Sequence, residues 1–281
     1  MSDTRLRPDR DTLIGYVRDT ARSVPGADVE PAALPAHIRL ARRVLPPQLA
    51  VHARLLATNA IAPFIAGRIN ELQQWSPLRL HLGSGKFPRS GWVNVDLLGV
   101  PVNLPYDLRR RLPFRDGSVD AVFHEHLLEH LPLDAGLRLT EETWRVLKPG
   151  GVLRIGVPDA GAYLQSYAWG GGFITTNRPD RPTQLLALQE LFYEHGHETM
   201  FDLETLALVC RAAGFEEVER RESGSSRITP CPDAPHRASE TLYVEAVKLD
   251  PAAGRPNGEW PGTTRTAERI REPSRGRPVP L

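Results

Sequence analysis

From residue 77 to residue 249 the chain alternates short apolar runs with amphipathic ones, and this alternation constrains its fold more than any other feature. Runs near 78–82, 92–96, 120–124, 151–157, 215–222 and 240–248 read as strands, and a shorter run near 102–104 can pair at an edge. Segments 134–147, 183–194 and 202–213 read as helices. In the last of these Asp202 stands where a helix cap belongs, and Leu203, Leu206 and Cys210 share a face. Gly214 follows, where a left-handed residue can end the helix. Such alternation predicts an α/β layered fold.

The stretch RLHLGSGKFPRSGWVNVDLL, residues 79–98, joins two of these strands through a turn opened by Gly83 and Gly85. A parallel α/β sheet binds ligands at the carboxyl ends of its strands, near the point where strand order reverses. Two residues without Cβ atoms let the backbone turn sharply and let a ligand lie against the main chain. Asp96 ends the neighbouring strand, where a carboxylate can accept both hydroxyls of a ribose. The pair reads as a nucleoside site or, equally, as a tight turn beside a strand-end carboxylate. The connection is short for a parallel crossover, which commonly carries a helix. Pro88 and Gly91 discourage one, so the first helix is expected to shrink to about one turn, which would still present backbone N–H groups to a ligand.

Two downstream stretches, DLRRRLPFRDGSVDAVFHEHLLEHL (107–131) and ETWRVLKPGGVLRIGVPD (142–159), resemble the class I S-adenosylmethionine-dependent methyltransferases. HLGSGKFPRSGWVNVD resembles a branch of that family with a shortened glycine loop, often linked to sugar and polysaccharide pathways. FDLETLALVCRAAGFEEV (201–218) is similar to the family's late helix–strand unit. The resemblance covers roughly 77–248. It implies a Rossmann-like seven-stranded sheet with an antiparallel last strand, S-adenosyl-L-methionine as cofactor, and methyl transfer to a small-molecule or glycan acceptor, expected at oxygen. Position by position, it implies that Gly83, Ser84 and Gly85 lie along the methionine and ribose and that Asp96 holds the ribose hydroxyls. Leu97 then packs on the adenine, Asp107 and Leu108 flank the adenine edge, and His124 borders the methionine. His81 departs from the acidic residue usual two places before the first glycine, which often orients the cofactor's amino group.

A hydroxyl acceptor benefits from a base. HEHLLEH supplies His124, Glu125, His126, Glu129 and His130, and YEHGHET supplies His195 and His197. His197, His124 and His126 are the candidate catalytic residues. His126 and His130 are four apart and would share a face of a helix, a spacing a metal could use; the resemblance instead places a helix packed beneath the site there, and no metal is expected. Tyr163, Tyr167, Trp169, Phe173 and Tyr193, with Gly170–Gly172, read either as a movable lid over the acceptor or as an aromatic mini-core. Two rival functions stay open. A NAD-dependent oxidoreductase would want a third glycine and a full helix where Pro88 stands. A non-catalytic cofactor-binding scaffold for a partner enzyme is the other.

Residues 1–76 read as a helical extension, 77–249 as the methyltransferase domain, and 250–281, with six prolines and four glycines, as a disordered tail. The extension could pack on the domain, close over the substrate or join two copies in a homodimer. The net charge of +1, from 35 basic and 34 acidic residues, gives no electrostatic case for nucleic acid or an anionic membrane. Cys210 and Cys231 have no metal spacing, and no run of about 18 apolar residues appears. The expectation is a cytoplasmic protein.

Overall fold

The structure, a computed structural model, describes residues 14–16, 47–194 and 196–250. The tail from 251 onward, most of the expected N-terminal layer and His195 lie outside the described residues.

Seven strands form one sheet: β1 (Arg79–Leu82), β2 (Val93–Asp96), β3 (Leu104–Pro105), β4 (Val119–Glu125), β5 (Leu147–Pro158), β6 (Glu217–Arg221) and β7 (Thr241–Val247). Their order is β3-β2-β1-β4-β5-β7-β6. The pairs β1–β2, β1–β4, β2–β3 and β4–β5 are parallel, and β7 runs antiparallel to both β5 and β6. Strand order reverses at β1, so the crevice expected of an open parallel sheet falls at the carboxyl ends of β1 and β4. The expected α/β sheet with its antiparallel last strand is the sheet observed.

Before the sheet come α1 (Pro47–Ile61) and α2 (Ala66–Leu72), joined by a 3₁₀ turn. The later helices are α3 (Leu133–Val146), α4 (Ala160–Trp169), α5 (Phe173–Asn177), α6 (Gln184–Gln189) and α7 (Leu203–Ala212). Leu139 and Val146 of α3 and Leu206 and Cys210 of α7 pack into one core with Leu80, Val95, Val122, Ile155 and Val244 of the sheet. The Asp202 side chain accepts from the Thr205 N–H at 2.8 Å and caps α7, and Gly214 follows with φ +107°.

The compressed first crossover is held by one buried side chain. Residues 83–92 contain turns and no helix, the tightest closed by Phe87 N–H donating to Ser84 O at 3.0 Å. Asn94 of β2 donates to Arg89 O and Trp92 O and accepts from Arg89 N–H through Oδ1 at 2.7 Å. A single amide therefore satisfies the backbone groups that a helix would otherwise have paired.

Two elements differ from the sequence expectation. Helices α4 and α5 flank Gly170–Gly172, all of positive φ, whose loop-like composition hides the regular structure on either side. The helical periodicity over 183–194 is split, with α6 passing into a π turn at Glu190–Glu194.

Candidate functional site

At the carboxyl ends of β1 and β2 the structure brings Gly83–Gly85 and Asp96 together. Gly83 N–H and Ser84 N–H donate to Val95 O, and Gly85 N–H donates to Asp96 Oδ2 at 2.8 Å. Both glycines have positive φ, +64° and +51°. A Cβ on Gly83 would lie 2.7 Å from Leu127 Cδ1, so the loop packs directly against the segment after β4. A Cβ on Gly85 would meet nothing within 4 Å, so that side of the turn is open. Asp96 Oδ1 also accepts from Leu97 N–H at 2.6 Å.

The sequence reading missed the part played by α1. Arg54 reaches Asp96 Oδ1 at 3.3 Å, Leu97 O at 3.1 Å and Leu98 O at 2.8 Å. The Thr58 hydroxyl accepts from Leu98 N–H, and Asn59 donates to Asp107 Oδ2 at 3.3 Å. One helix face thus touches both carboxylates singled out in the sequence. No local pattern marks such long-range contacts.

Asp107 and Leu108 are buried beside this rim. Burial pushes the Asp107 carboxyl up, but hydrogen bonds from the Arg109 side chain and backbone and from Asn59 outweigh it and hold the group below its ordinary range. His81 Nδ1 lies 3.1 Å from Asn94 Oδ1, and the ring stacks on Phe123. Burial lowers His81 to about 4. A neutral imidazole tied to the crossover cannot replace the carboxylate that would pair with an ammonium group.

The two histidine-bearing stretches converge at the end of β4. Glu198 N–H and Thr199 N–H both donate to Glu129 O, and the Thr199 hydroxyl donates to Leu128 O and Leu131 O. The loop 196–199 is thereby fastened to the 3₁₀ turn Leu128–His130. His126 sits at φ +53°, outside any helix, so His126 and His130 do not share a helical face; the helix itself begins at Leu133. His126 Nε2 meets the Thr241 hydroxyl at 2.9 Å. That hydroxyl donates to Arg237 O, so its oxygen accepts and Nε2 carries the proton. His126 Nδ1 faces Glu129 Oε1 at 3.4 Å, within ion-pair reach but outside hydrogen-bond geometry.

Glu129 is 1% exposed, and neither carboxylate oxygen has a hydrogen-bond partner. Burial raises its pKa to about 8. The rings of His130 and His197 meet edge to face at 4.8 Å. His197 Nδ1 lies 2.6 Å from Leu191 O, an acceptor only, so Nδ1 holds the proton and Nε2 the lone pair. His124 is wholly buried in β4, with no hydrogen-bond partner on either nitrogen, and burial together with His81 lowers it to about 3. The structure does not bring His124 to the surface of the site.

Of the aromatic residues after β5, Tyr163 and Phe173 belong to a small core with Ile174, Leu188 and Leu191. Trp169 and Tyr193 are exposed.

A Rossmann-like sheet with this strand order and an antiparallel β7 carries a glycine turn and a strand-end carboxylate at its switch point, the place where open α/β sheets bind their ligands. Residues 101–155 match the family model described as a methyltransferase domain. That match and the strand order together support a class I S-adenosylmethionine-dependent methyltransferase domain with S-adenosylmethionine as its cofactor. The site's open glycine turn, the buried and unpartnered Ser84 hydroxyl and the Asp96 carboxylate fit that group.

No curated protein matches the chain. Among solved structures, it is similar to a methyltransferase from Thermotoga maritima at 18% identity, covering 71% of this chain and 96% of that one, with a TM-score of 0.37. A SAM-dependent methyltransferase from Archaeoglobus fulgidus gives 14%, 69%, 94% and 0.40. An O-methyltransferase family protein from Burkholderia thailandensis gives 13%, 72%, 61% and 0.41. At these values none of them bears on what this chain acts on.

Proposed function

We propose that the chain methylates an oxygen of a small-molecule or glycan acceptor. The observation that carries this reading is the contact of the glycine turn with Leu127. It supports the reading by packing the turn against the segment that leads from β4 into Glu129 and His130, at the carboxyl ends of the adjacent strands β1 and β4.

Bound in the cradle, S-adenosylmethionine supplies an electrophilic methyl group on a sulfonium. Asp96 accepts the ribose hydroxyls. Its two oxygens offer about four lone-pair sites, and three donors already use them, so one is spare and a second opens as Arg54 leaves its long 3.3 Å contact. Gly83, Ser84 and Gly85 line the methionine and ribose side, Leu97 covers the adenine, and Asp107 and Leu108 flank its edge. The protein's contribution to rate is positional, since the acceptor oxygen must stand in line with the methyl carbon and the sulfur.

A hydroxyl gives up its proton as it is methylated. His124 is sealed in the sheet, and His126 is engaged by Thr241 on one nitrogen and faces Glu129 on the other. This reading assigns that proton to His197, whose Nδ1 is tied to Leu191 O so that the ring's lone pair is on Nε2. Residues 83–92 hold no helix, so the helix N-terminus that a dinucleotide oxidoreductase uses for its pyrophosphate is missing there.

The reading takes the protein as cytoplasmic. No described helix is long and apolar enough to cross a membrane, and the net charge of +1 favours no nucleic-acid partner. The exposed Leu56 and Phe64 of the N-terminal helical segment are the surface through which a homodimer would form.

The test is mass spectrometry of alcohols, phenols and oligosaccharides incubated with the protein and a deuterated methyl donor. His197→Ala should lower turnover and leave cofactor affinity unchanged. Absence of labelled product across the panel, or equal turnover by His197→Ala, rejects the reading.

A further inference from the structure

We infer that Glu129, His130 and His197 form a binding site for a divalent metal ion of the zinc class. A carboxylate oxygen of Glu129 and one ring nitrogen of each histidine all lie within 4.8 Å of one another. One carboxylate and two imidazoles are a donor set that zinc takes up with a fourth position left to water or substrate. Imidazole-rich sites select zinc and its transition-metal neighbours over magnesium and calcium, which prefer all-oxygen shells.

Three observations make this a built site. The first is the tautomers. His197 Nδ1 donates to Leu191 O at 2.6 Å and His130 Nδ1 to Gly196 O at 3.4 Å, which leaves the lone pair of each ring on Nε2. Metal-bound histidines are commonly fixed in this way, by giving the other N–H to a carbonyl. The second is the carboxylate. Glu129 is almost fully buried and neither oxygen has a hydrogen-bond partner, a costly arrangement that a divalent cation would compensate. The third is the scaffold. The segments carrying the ligands are 67 residues apart in sequence, yet the bonds from Glu198, Thr199 and the Thr199 hydroxyl already dock one on the other.

A tetrahedral ion with bonds of about 2.0–2.1 Å sets its donors about 3.4 Å apart. Rotations of the two half-buried histidine side chains close the difference, and their partial exposure gives the ion a way in. In the sequence the metal-compatible spacing joins His126 to His130, and the resemblance sets a helix beneath the site there in place of a metal. The cluster that forms joins His130 to His197 instead. This inference rests on the proposed acceptor side and deepens it: with an ion bound, Nε2 of His197 would be its ligand, and the ion would make a coordinated acceptor hydroxyl acidic enough to give its proton to water, whereas without the ion His197 takes that proton itself.

The experiment uses the full chain, stripped with a chelator and titrated with zinc chloride against a chromophoric competitor, with cobalt(II) in parallel. One equivalent should bind, the cobalt form should show the intense visible bands of a tetrahedral site, and zinc should raise Tm. His197→Ala and Glu129→Gln should each weaken zinc by about 100-fold, while the exposed His52→Ala leaves it unchanged. Circular dichroism and cofactor affinity report whether each variant is folded, and the zinc-dependent Tm of the unaltered chain needs no variant. Sub-stoichiometric uptake by the unaltered chain, or full affinity in folded His197→Ala, overturns the inference. If zinc does not bind but His197→Ala still impairs methyl transfer, the metal falls and the base reading stands. If zinc binds and no acceptor is methylated, the metal stands and the proposed function falls.

Discussion

Replacing Asp96 by asparagine isolates the charge of the cradle from its shape. Asp96 accepts from Gly85 N–H at 2.8 Å, Leu97 N–H at 2.6 Å and Arg54 at 3.3 Å, with the side chain only 18% exposed. Hydrogen bonds to a charged acceptor contribute roughly 1.5–3 kcal/mol each, against roughly 0.5–1.5 for neutral pairs. Two ribose hydroxyls meeting an amide in place of a carboxylate should therefore lose roughly 2–3 kcal/mol together, which raises Kd by roughly 30- to 150-fold. The same change turns one acceptor oxygen into a donor against a loop N–H. An unsatisfied buried donor costs roughly 1–3 kcal/mol, so urea unfolding should show that loss separately. Calorimetric titration with S-adenosylhomocysteine reads the affinity, and the urea midpoint reads the loop. A folded Asp96→Asn chain with unaltered cofactor affinity would refute the ribose assignment.

Three further outcomes follow from the same geometry. Gly83→Ala sets a Cβ 2.7 Å from Leu127 Cδ1 at a φ of +64°, and should cost roughly 1–3 kcal/mol of stability by denaturant titration; an unchanged midpoint would mean that the turn does not pack as described. Arg154 is wholly buried and pairs with Asp233 and Glu245, so Arg154→Leu strands two carboxylates in the core and should lose roughly 3–5 kcal/mol, read by Tm and urea midpoint. His81 is lowered to about 4 in the folded chain, against 6.5 for the free side chain. The unfolded chain therefore binds the extra proton between those values, and stability falls as pH drops through that window. Between pH 7.5 and 5 the effect is roughly 2 kcal/mol, and His81→Gln should flatten the pH dependence by about that much in paired urea titrations.

The sheet was readable because its signals are local. Apolar runs of strand length, the Asp202 cap and Gly214 fix β-strands and α7 from neighbours in sequence, and the observed bounds fall within a few residues of those expected. Helices α4 and α5 were not readable, because Gly170–Gly172 gives the whole stretch the composition of a loop. The compressed crossover was recognised as unusual, but its cause was not. Asn94 acts through bonds to Arg89, Trp92 and His81, and nothing in VNVD marks the asparagine as special. The juxtaposition of Gly83–Gly85 with Asp96 was legible, because it follows from two adjacent parallel strands. The reach of Arg54 and Asn59 from α1 was not, because side chains more than 40 residues away in sequence leave no periodic trace. The histidines were found as two clusters, and only the fold joins them, through the backbone of Glu129, Glu198 and Thr199.

The most direct check is where the cofactor product touches the chain. In ¹⁵N-labelled protein titrated with S-adenosylhomocysteine, the amides of Gly83, Ser84, Gly85, Leu97 and Leu108 should move together along one saturable curve. Shifts confined to other parts of the sheet, or no saturable shift at all, would contradict a cofactor held at the tips of β1 and β2.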